Sequence, residues 1–312
     1  MKKHLLVLLI GIITSAIFAQ TDQQRFSKYI LANSEVGYVT FLDGIGNLEP
    51  LWFEAKMVPN YLIRIKEDSR TGAVLTPKVI LRMYRKDSEP VATPSYMPQI
   101  TLYHQLSNID SEKSNIFYLF GRISHHSNGQ DGEFYNEDGT INTTDGNFST
   151  NFLEVGFFLT KLFPIYQNAT EFFRTSIEYH PNFLQDEDEL NNRYGNIRLH
   201  NDLQIFKFTG ESFTSIFSGN TKSVDLPENR IKRPNLRAMV NTTFIFGEME
   251  NVDGLDFSKR FGGSVTISYN PKYLEDVRLF VQYYYGQDYY NIHFGNTLNE
   301  LRIGLMADPF GI

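Results

Sequence analysis

Apolar and polar side chains alternate along most of this chain in runs of about ten residues, and this pattern limits the fold more than any other feature. Val277, Leu279, Val281, Tyr283 and Tyr285 are set against Arg278, Gln282, Tyr284 and Gly286. Leu301, Ile303, Leu305 and Ala307 alternate with Arg302, Gly304, Met306 and Asp308, and Ile197, Leu199, Leu203 and Ile205 with Arg198, His200, Asp202 and Gln204. A period of two is that of a β-strand, whose successive side chains point to opposite faces. The runs are about 9 to 13 residues long, against about 5 or 6 for strands of soluble sandwiches. Strands of that length, with one apolar and one polar face, suit a transmembrane barrel whose outside meets lipid and whose inside is polar. Closure satisfies every backbone group and leaves no edge exposed to hydrocarbon. The expected fold is therefore all-β, an antiparallel transmembrane β-barrel of about 12 strands, an even number as bacterial barrels have. The candidates lie near residues 61–67, 73–84, 98–107, 115–127, 150–163, 170–180, 194–206, 211–218, 236–247, 259–270, 277–289 and 297–308. A secreted soluble β-barrel or sandwich is the alternative fold.

The first residues set the compartment. Lys2 and Lys3 precede an apolar run from Leu5 to Ile13 and the small-residue stretch Ser15 to Ala19, with no acidic residue before Asp22. This is the layout of a secretory signal peptide over residues 1–19. Losing the two lysines takes the formal charge from −7 to about −9, an acidity that argues against a nucleic-acid partner. Without cysteine, stability must come from backbone pairing and packing rather than disulfides. No apolar stretch approaches the ~20 residues of a membrane-spanning helix. Residues 20–58 show no strong periodicity and read as an N-terminal arm. The barrel is expected over 59–312, with an acidic loop inserted at 128–149.

One alternating run ends in a pair that could do chemistry. His125 and Ser127 share a strand face with Phe117, Leu119 and Ile123, the apolar face, while Tyr118, Arg122, Ser124 and His126 point the other way. A serine needs a base within reach to act as a nucleophile, and side chains two apart on a strand face are roughly 6–7 Å apart. The base needs an acceptor for its second ring N–H. By parity Asn151, on the next strand, falls on the same outward face, and an antiparallel hairpin brings its amide beside His125. A neutral amide costs less to desolvate there than a carboxylate. A His-X-Ser pair also fits an ordinary histidine at a strand end, although polar residues on a lipid-facing wall tend to be functional.

The string His125-His-Ser127-Asn128-Gly129 resembles the His-X-Ser-Asn-Gly signature of the outer-membrane phospholipase A family. Asn60-Tyr-Leu-Ile63 resembles the start of that family's first strand. Ser88-Glu-Pro90, with Tyr96-Met-Pro98-Gln-Ile after it, resembles its Ser-Ser-Pro and Tyr-Glu-Pro-Gln stretch. Val277 to Tyr283 and Arg302-Ile-Gly-Leu-Met306 resemble its last two strands. The resemblance covers nearly all of the mature chain. It implies a Gram-negative outer-membrane enzyme that hydrolyses phospholipid acyl esters, with Ser127 as nucleophile, His125 as general base and acid, and Asn151 as the orienting residue. It also implies Ca2+ near the oxyanion position and a homodimer. Calcium ligands by this match would be Gln130 through its carbonyl, Asn147 in place of a family serine, and Glu89, or else Ser88, from the partner subunit.

Departures from the family concentrate in the loop. Ser127 and Asn151 lie about twice as far apart in sequence as the family places them. The insertion Asp131-Gly-Glu-Phe-Tyr-Asn-Glu-Asp-Gly139 is acidic, which fits a solvated loop or a cation held by oxygen ligands; Asn136-X-Asp138-Gly lacks the rest of an EF-hand. His126 is expected inside, in a network with Arg122. The Tyr283-Tyr-Tyr285 and Tyr289-Tyr290 clusters read as an interfacial girdle. The rival function is a non-enzymatic outer-membrane barrel, either a narrow porin or transporter or a catalytically silent relative.

Overall fold

A computed structural model describes residues 29–41, 44–48, 50–64, 69–88, 90–106, 116–160, 169–185, 188–191, 193–208, 234–271, 273–274 and 276–307. The chain forms a closed twelve-stranded antiparallel β-barrel with two extra short strands. Ten long strands follow one another in chain order: β5 (Thr71–Tyr84), β6 (Ser95–Gln105), β7 (Phe117–Ser127), β8 (Ser149–Thr160), β9 (Ala169–Tyr179), β10 (Ile197–Phe208), β11 (Pro234–Phe246), β12 (Phe261–Tyr269), β13 (Val277–Gln287) and β14 (Thr297–Ala307). Each falls within a few residues of an alternating run in the sequence.

The barrel closes through a segment whose sequence shows no period. β1 (Tyr38–Thr40) pairs with β14, Tyr38 opposite Met306, and also with β3 (Leu51–Met57), Val39 opposite Ala55. β2 (Ile45–Gly46) extends the pairing along β14, and β4 (Tyr61–Arg64) extends that of β3 along β5. Two interrupted strands thus supply the two remaining walls, so residues 38–57 belong to the barrel rather than to an arm. The strand expected at 211–218 and the signal segment lie outside the described residues, as does the end of the last expected strand.

Outside, the wall is apolar: Ile123 is 66% and Val155 63% exposed. Inside, charge is paired with charge. Glu154 meets Arg122 at 2.7 Å and Arg174 at 2.5 Å. Glu54, 1% exposed, binds Arg82 at 2.7 Å and Arg302 at 2.9 Å, and Arg82 reaches Asp288 at 2.8 Å. Such partners are what makes buried charge tolerable. Toward the end where β6 leads into β7 the lumen is plugged by rings, Tyr103, Tyr118, Phe120, Phe158, Phe172 and Phe206, against which Ile30 and Ala32 of a short helical segment pack. A cavity of about 420 Å3 remains among polar lumen side chains, Lys78, His126 and Glu178 included.

The opposite end is capped by loops. Phe134 and Phe148 from the 128–148 connection are buried with Leu190, Tyr194, Ile292 and Phe294. The acidic insertion is therefore anchored by two rings, and bridges at Gly132–Gly146 and Tyr135–Ile141 shape it. A Cβ on Gly132 would stand 2.4 Å from the Asp145 carbonyl, so only glycine permits that crossing. Tyr289 and Tyr290 are not girdle residues. They fold back over the lumen, where the Tyr289 hydroxyl donates to Glu54 at 2.6 Å and that of Tyr290 accepts from the Arg82 N–H at 3.2 Å. Tyr283 alone of the five is exposed on the outer wall.

Candidate active site

β7 and β8 pair in a register that puts His125 directly opposite Asn151 and Ser127 opposite Ser149. His125, Ser127 and Asn151 all lie on the outward parity and are partly buried. Asn151 Oδ1 is 2.9 Å from His125 Nδ1. An amide oxygen has no hydrogen to give, so in this pairing Nδ1 is the donor, and in the neutral ring the lone pair falls on Nε2. The Asn151 Nδ2 group donates to the backbone carbonyl of Leu184 at 2.5 Å. Among the described residues no hydrogen bond joins the imidazole to Ser127, two residues on along the same face. Catalytic contacts of that kind commonly tighten only around a bound substrate.

The residue after the serine fixes the local backbone. Asn128 is 3% exposed. Its Nδ2 donates to the Gly146 carbonyl at 2.8 Å, and its Oδ1 accepts from the N–H of Phe148 at 3.0 Å and of Gln130 at 3.3 Å. One side chain so staples both legs of the loop at their base. The next residue, Gly129, turns the chain at φ +70°, a conformation that disfavours other residues. The Ser-Asn-Gly string contains this signal, since Asn before Gly marks a turn in which the Asn side chain bonds nearby backbone. On the other flank Tyr96 of β6 stands opposite Ser127 on the outer wall.

The residues expected to bind a metal are only partly brought together. Gln130 and Asn147 sit on the two legs of the loop base. Gln130 Nε2 donates to Thr93 Oγ1 at 3.1 Å, and the Asn147 N–H donates to the Gly132 carbonyl at 2.9 Å. Glu89 lies outside the described residues; Ser88 is exposed. Among the described residues no three His, Cys, Asp or Glu side chains cluster as a metal site. In the insertion, Asp138 accepts from Thr140 Oγ1 at 2.6 Å and N–H at 3.0 Å, which holds its carboxyl below the usual range.

The remaining histidines have other surroundings. His126 faces inward as expected, but it does not join Arg122, which bonds Glu154 and Thr101 instead. Its ring packs edge-on to Phe148 at 4.8 Å, and among the described residues its Nε2 has no hydrogen-bond partner. His180 and His200 both reach Glu178. His104 is on the outer wall, where Nδ1 bonds Thr71 at 2.8 Å.

Fold and site together define a closed β-barrel carrying a Ser, His and Asn constellation on its outer wall. No family model and no curated protein matches the sequence. Solved structures do. Outer membrane phospholipase A from Escherichia coli aligns at 12% identity with a TM-score of 0.56, over 88% of this chain and 96% of that one. An active-site mutant of the same enzyme aligns at 13% identity and a TM-score of 0.55, over 88% of this chain and 90% of that one. The Salmonella typhi outer membrane phospholipase, a dimer with bound calcium, gives 13% and 0.55 over the same shares. At this identity the likeness is one of fold.

Proposed function

We propose that this chain is an outer-membrane phospholipase that hydrolyses acyl ester bonds of phospholipids through Ser127, His125 and Asn151. The observation that carries this reading is the 2.9 Å contact between His125 Nδ1 and Asn151 Oδ1, on an apolar wall, beside Ser127. Polar groups on such a wall are costly and tend to be functional. His125 Nε2 takes the proton of the Ser127 hydroxyl as Oγ attacks the ester carbonyl. His125 then gives that proton to the leaving lysophospholipid oxygen, and an acyl-serine remains. Water activated by the same nitrogen hydrolyses the acyl-enzyme, releasing fatty acid and restoring Ser127. Asn151 holds the ring through Nδ1 and keeps its second nitrogen basic. A backbone N–H beside the serine would donate to the tetrahedral oxyanion.

Calcium fits the reading in part. Calcium takes six to eight hard oxygen ligands, and the Gln130 carbonyl and Asn147 amide oxygen are of that kind but too few. The remaining ligands would come from water and from a second copy, where Glu89 is the candidate. When bound, calcium supplies positive charge near the developing oxyanion. A second barrel laid against Ile100, Ile123 and Val155 would turn an open wall into a cleft for acyl chains. The aromatic plug in the lumen argues against the rival reading as an open pore.

The test is a phospholipase assay in mixed micelles. Wild type should release fatty acid, and Ser127→Ala should lower kcat by about a thousandfold or more while the barrel stays folded. Chelation of calcium should lower the wild-type rate and monomerisation in detergent should do the same. Equal rates for wild type and Ser127→Ala would overturn the mechanism; a rate indifferent to chelator would remove calcium from it.

A further inference from the structure

The turn that follows β9 is not part of any signature in the chain, yet it touches the site. The β8–β9 ladder ends at the Leu153–Tyr179 pair. His180 and Pro181 then leave the sheet, and Pro181 has no N–H to continue a ladder. The chain tightens into the 3-10 turn Asn182–Leu184, closed by Leu184 N–H to the Pro181 carbonyl at 3.0 Å and Gln185 N–H to the Asn182 carbonyl at 3.2 Å. This lays the Leu184 carbonyl over Asn151, where it accepts from Nδ2 at 2.5 Å.

We propose that the Leu184 carbonyl is a positioning group, 33 residues beyond Asn151, that decides which nitrogen of His125 is basic. The inference rests on the hydrolytic reading of Ser127, His125 and Asn151. The two ends of a carboxamide have nearly the same shape, so only their partners choose its orientation. His125 does not choose, because its Nδ1 donates in one tautomer and accepts in the other. A peptide carbonyl always accepts. It therefore draws the Asn151 NH2 toward itself and leaves Oδ1 for the imidazole, which puts the ring proton on Nδ1. The flipped amide would set two oxygens against each other at Leu184 and point NH2 at Nδ1. That would move the ring proton to Nε2 and leave Ser127 without a base. An aspartate, with two oxygens, needs no such selection, whereas an asparagine does.

The experiment moves the carbonyl without touching a side chain of the site. Gln185→Pro removes the N–H that closes the turn and drives Leu184 from helical toward extended backbone. Gln185 itself, at φ −87°, is close to what proline requires. Gln185→Ala, which keeps the N–H, is the control. Gln185→Pro should lower kcat/KM by about tenfold to a hundredfold relative to Gln185→Ala, mostly in kcat. In an Asn151→Asp background, where an oxygen faces both His125 and the Leu184 carbonyl in either orientation, moving that carbonyl should relieve a repulsion and leave kcat/KM equal or higher. A loss of equal size in both backgrounds would overturn the proposal, because a turn with a merely structural role predicts it.

A second measurement does not depend on activity. In Ser127→Ala protein labelled uniformly with 15N and 13C, His125 should show a protonated Nδ1 and a bare Nε2, with coupling across the hydrogen bond between Asn151 Nδ2 and the Leu184 carbonyl carbon. Gln185→Pro should give a mixture of tautomers. A wild-type turn with Nε2 protonated, or without that coupling, would overturn the role of Leu184. Equal phospholipase rates for wild type and Ser127→Ala would instead sink the hydrolytic reading, while the tautomer would still report on the turn.

Discussion

The two faces of β7 carry a histidine each, one residue apart, and they live in opposite worlds. His125 faces outward, among Ile123, Val155 and Leu153, with one nitrogen engaged and the other open. His126 faces inward, pressed on Phe148, beside a lumen full of paired charge. Inside, polar groups are the rule, and a given one means little because the barrel interior is built from them. Outside, His125, Ser127 and Asn151 form a polar group beside the apolar Ile123 and Leu153, and two of them share a hydrogen bond. The difference teaches that, in a barrel, strand parity is part of a residue's chemical identity. On the proposed reading, the inner network holds the barrel and the outer constellation acts on what touches the wall.

The sharpest way to break that division is to cut the inner network and watch the outer site. Glu54 holds Arg82 and Arg302 and accepts from Tyr38 and Tyr289. Glu54→Gln takes one carboxylate from each of two buried guanidinium groups, Arg82 keeping Asp288 and Arg302 keeping Glu300, so the loss should lie at the low end of the about 3–5 kcal/mol that breaking a buried pair costs. Denaturant unfolding in lipid vesicles, followed through Trp52, the single tryptophan, should show that loss. The folded variant should keep its kcat. Full stability with lost activity would mean that the lumen takes part in the chemistry and that the division between the faces is false.

A second variant tests the outer face itself. Val155 lies opposite Gly121 on β7 and Ile177 on β9, in the middle of the wall that carries the site. Val155→Arg should cost about 2–4 kcal/mol if that wall meets hydrocarbon. Refolding into vesicles measures it. A cost near zero would place the wall in water and favour a soluble barrel.

Much of this was legible in the chain, and the reasons for the rest are physical. Alternation located β7 and β14 almost to the residue, because an apolar outer face and a polar lumen face write a strict period of two. Of the first two walls only β4, at the start of the run expected over 61–67, was legible. Three residues of β1 and two of β2 are too few to register a period, and β3 is irregular at its bulge between Leu51 and Phe53. Parity put His125, Ser127 and Asn151 on one face, and the register then made the His125–Asn151 contact direct. Parity also placed His126 inside but could not tell that it would meet Phe148 rather than Arg122. Tyr289 and Tyr290 were misjudged because a girdle reading assumes loops stay at the interface, whereas this loop folds inward. The Leu184 carbonyl had no signature, since a backbone oxygen brings no residue type with it.

Asn128 sits where the two faces meet, and its truncation gives the smallest expected effect and the finest distinction. It follows the serine, points inward, and joins Gly146, Phe148 and Gln130 in one set of hydrogen bonds. Asn128→Ala takes the side-chain partner from the Gly146 carbonyl and from the N–H groups of Phe148 and Gln130, which costs about 1–3 kcal/mol. That loss is local: it falls on the loop base rather than on the ladder between β7 and β8, so the barrel should remain closed. Hydrogen exchange should then speed up at Phe148 and Gln130 and stay slow at Ser124 and His126. Because the same staple sets the backbone just past Ser127, kcat should fall with it, more than for Glu54→Gln despite the smaller cost in stability. Such an inversion, with the weaker structural lesion having the larger catalytic consequence, is what a site built on the outer wall and held by the inner one requires. If kcat instead tracks stability across the two variants, the site has no structural dependence of its own on the loop base.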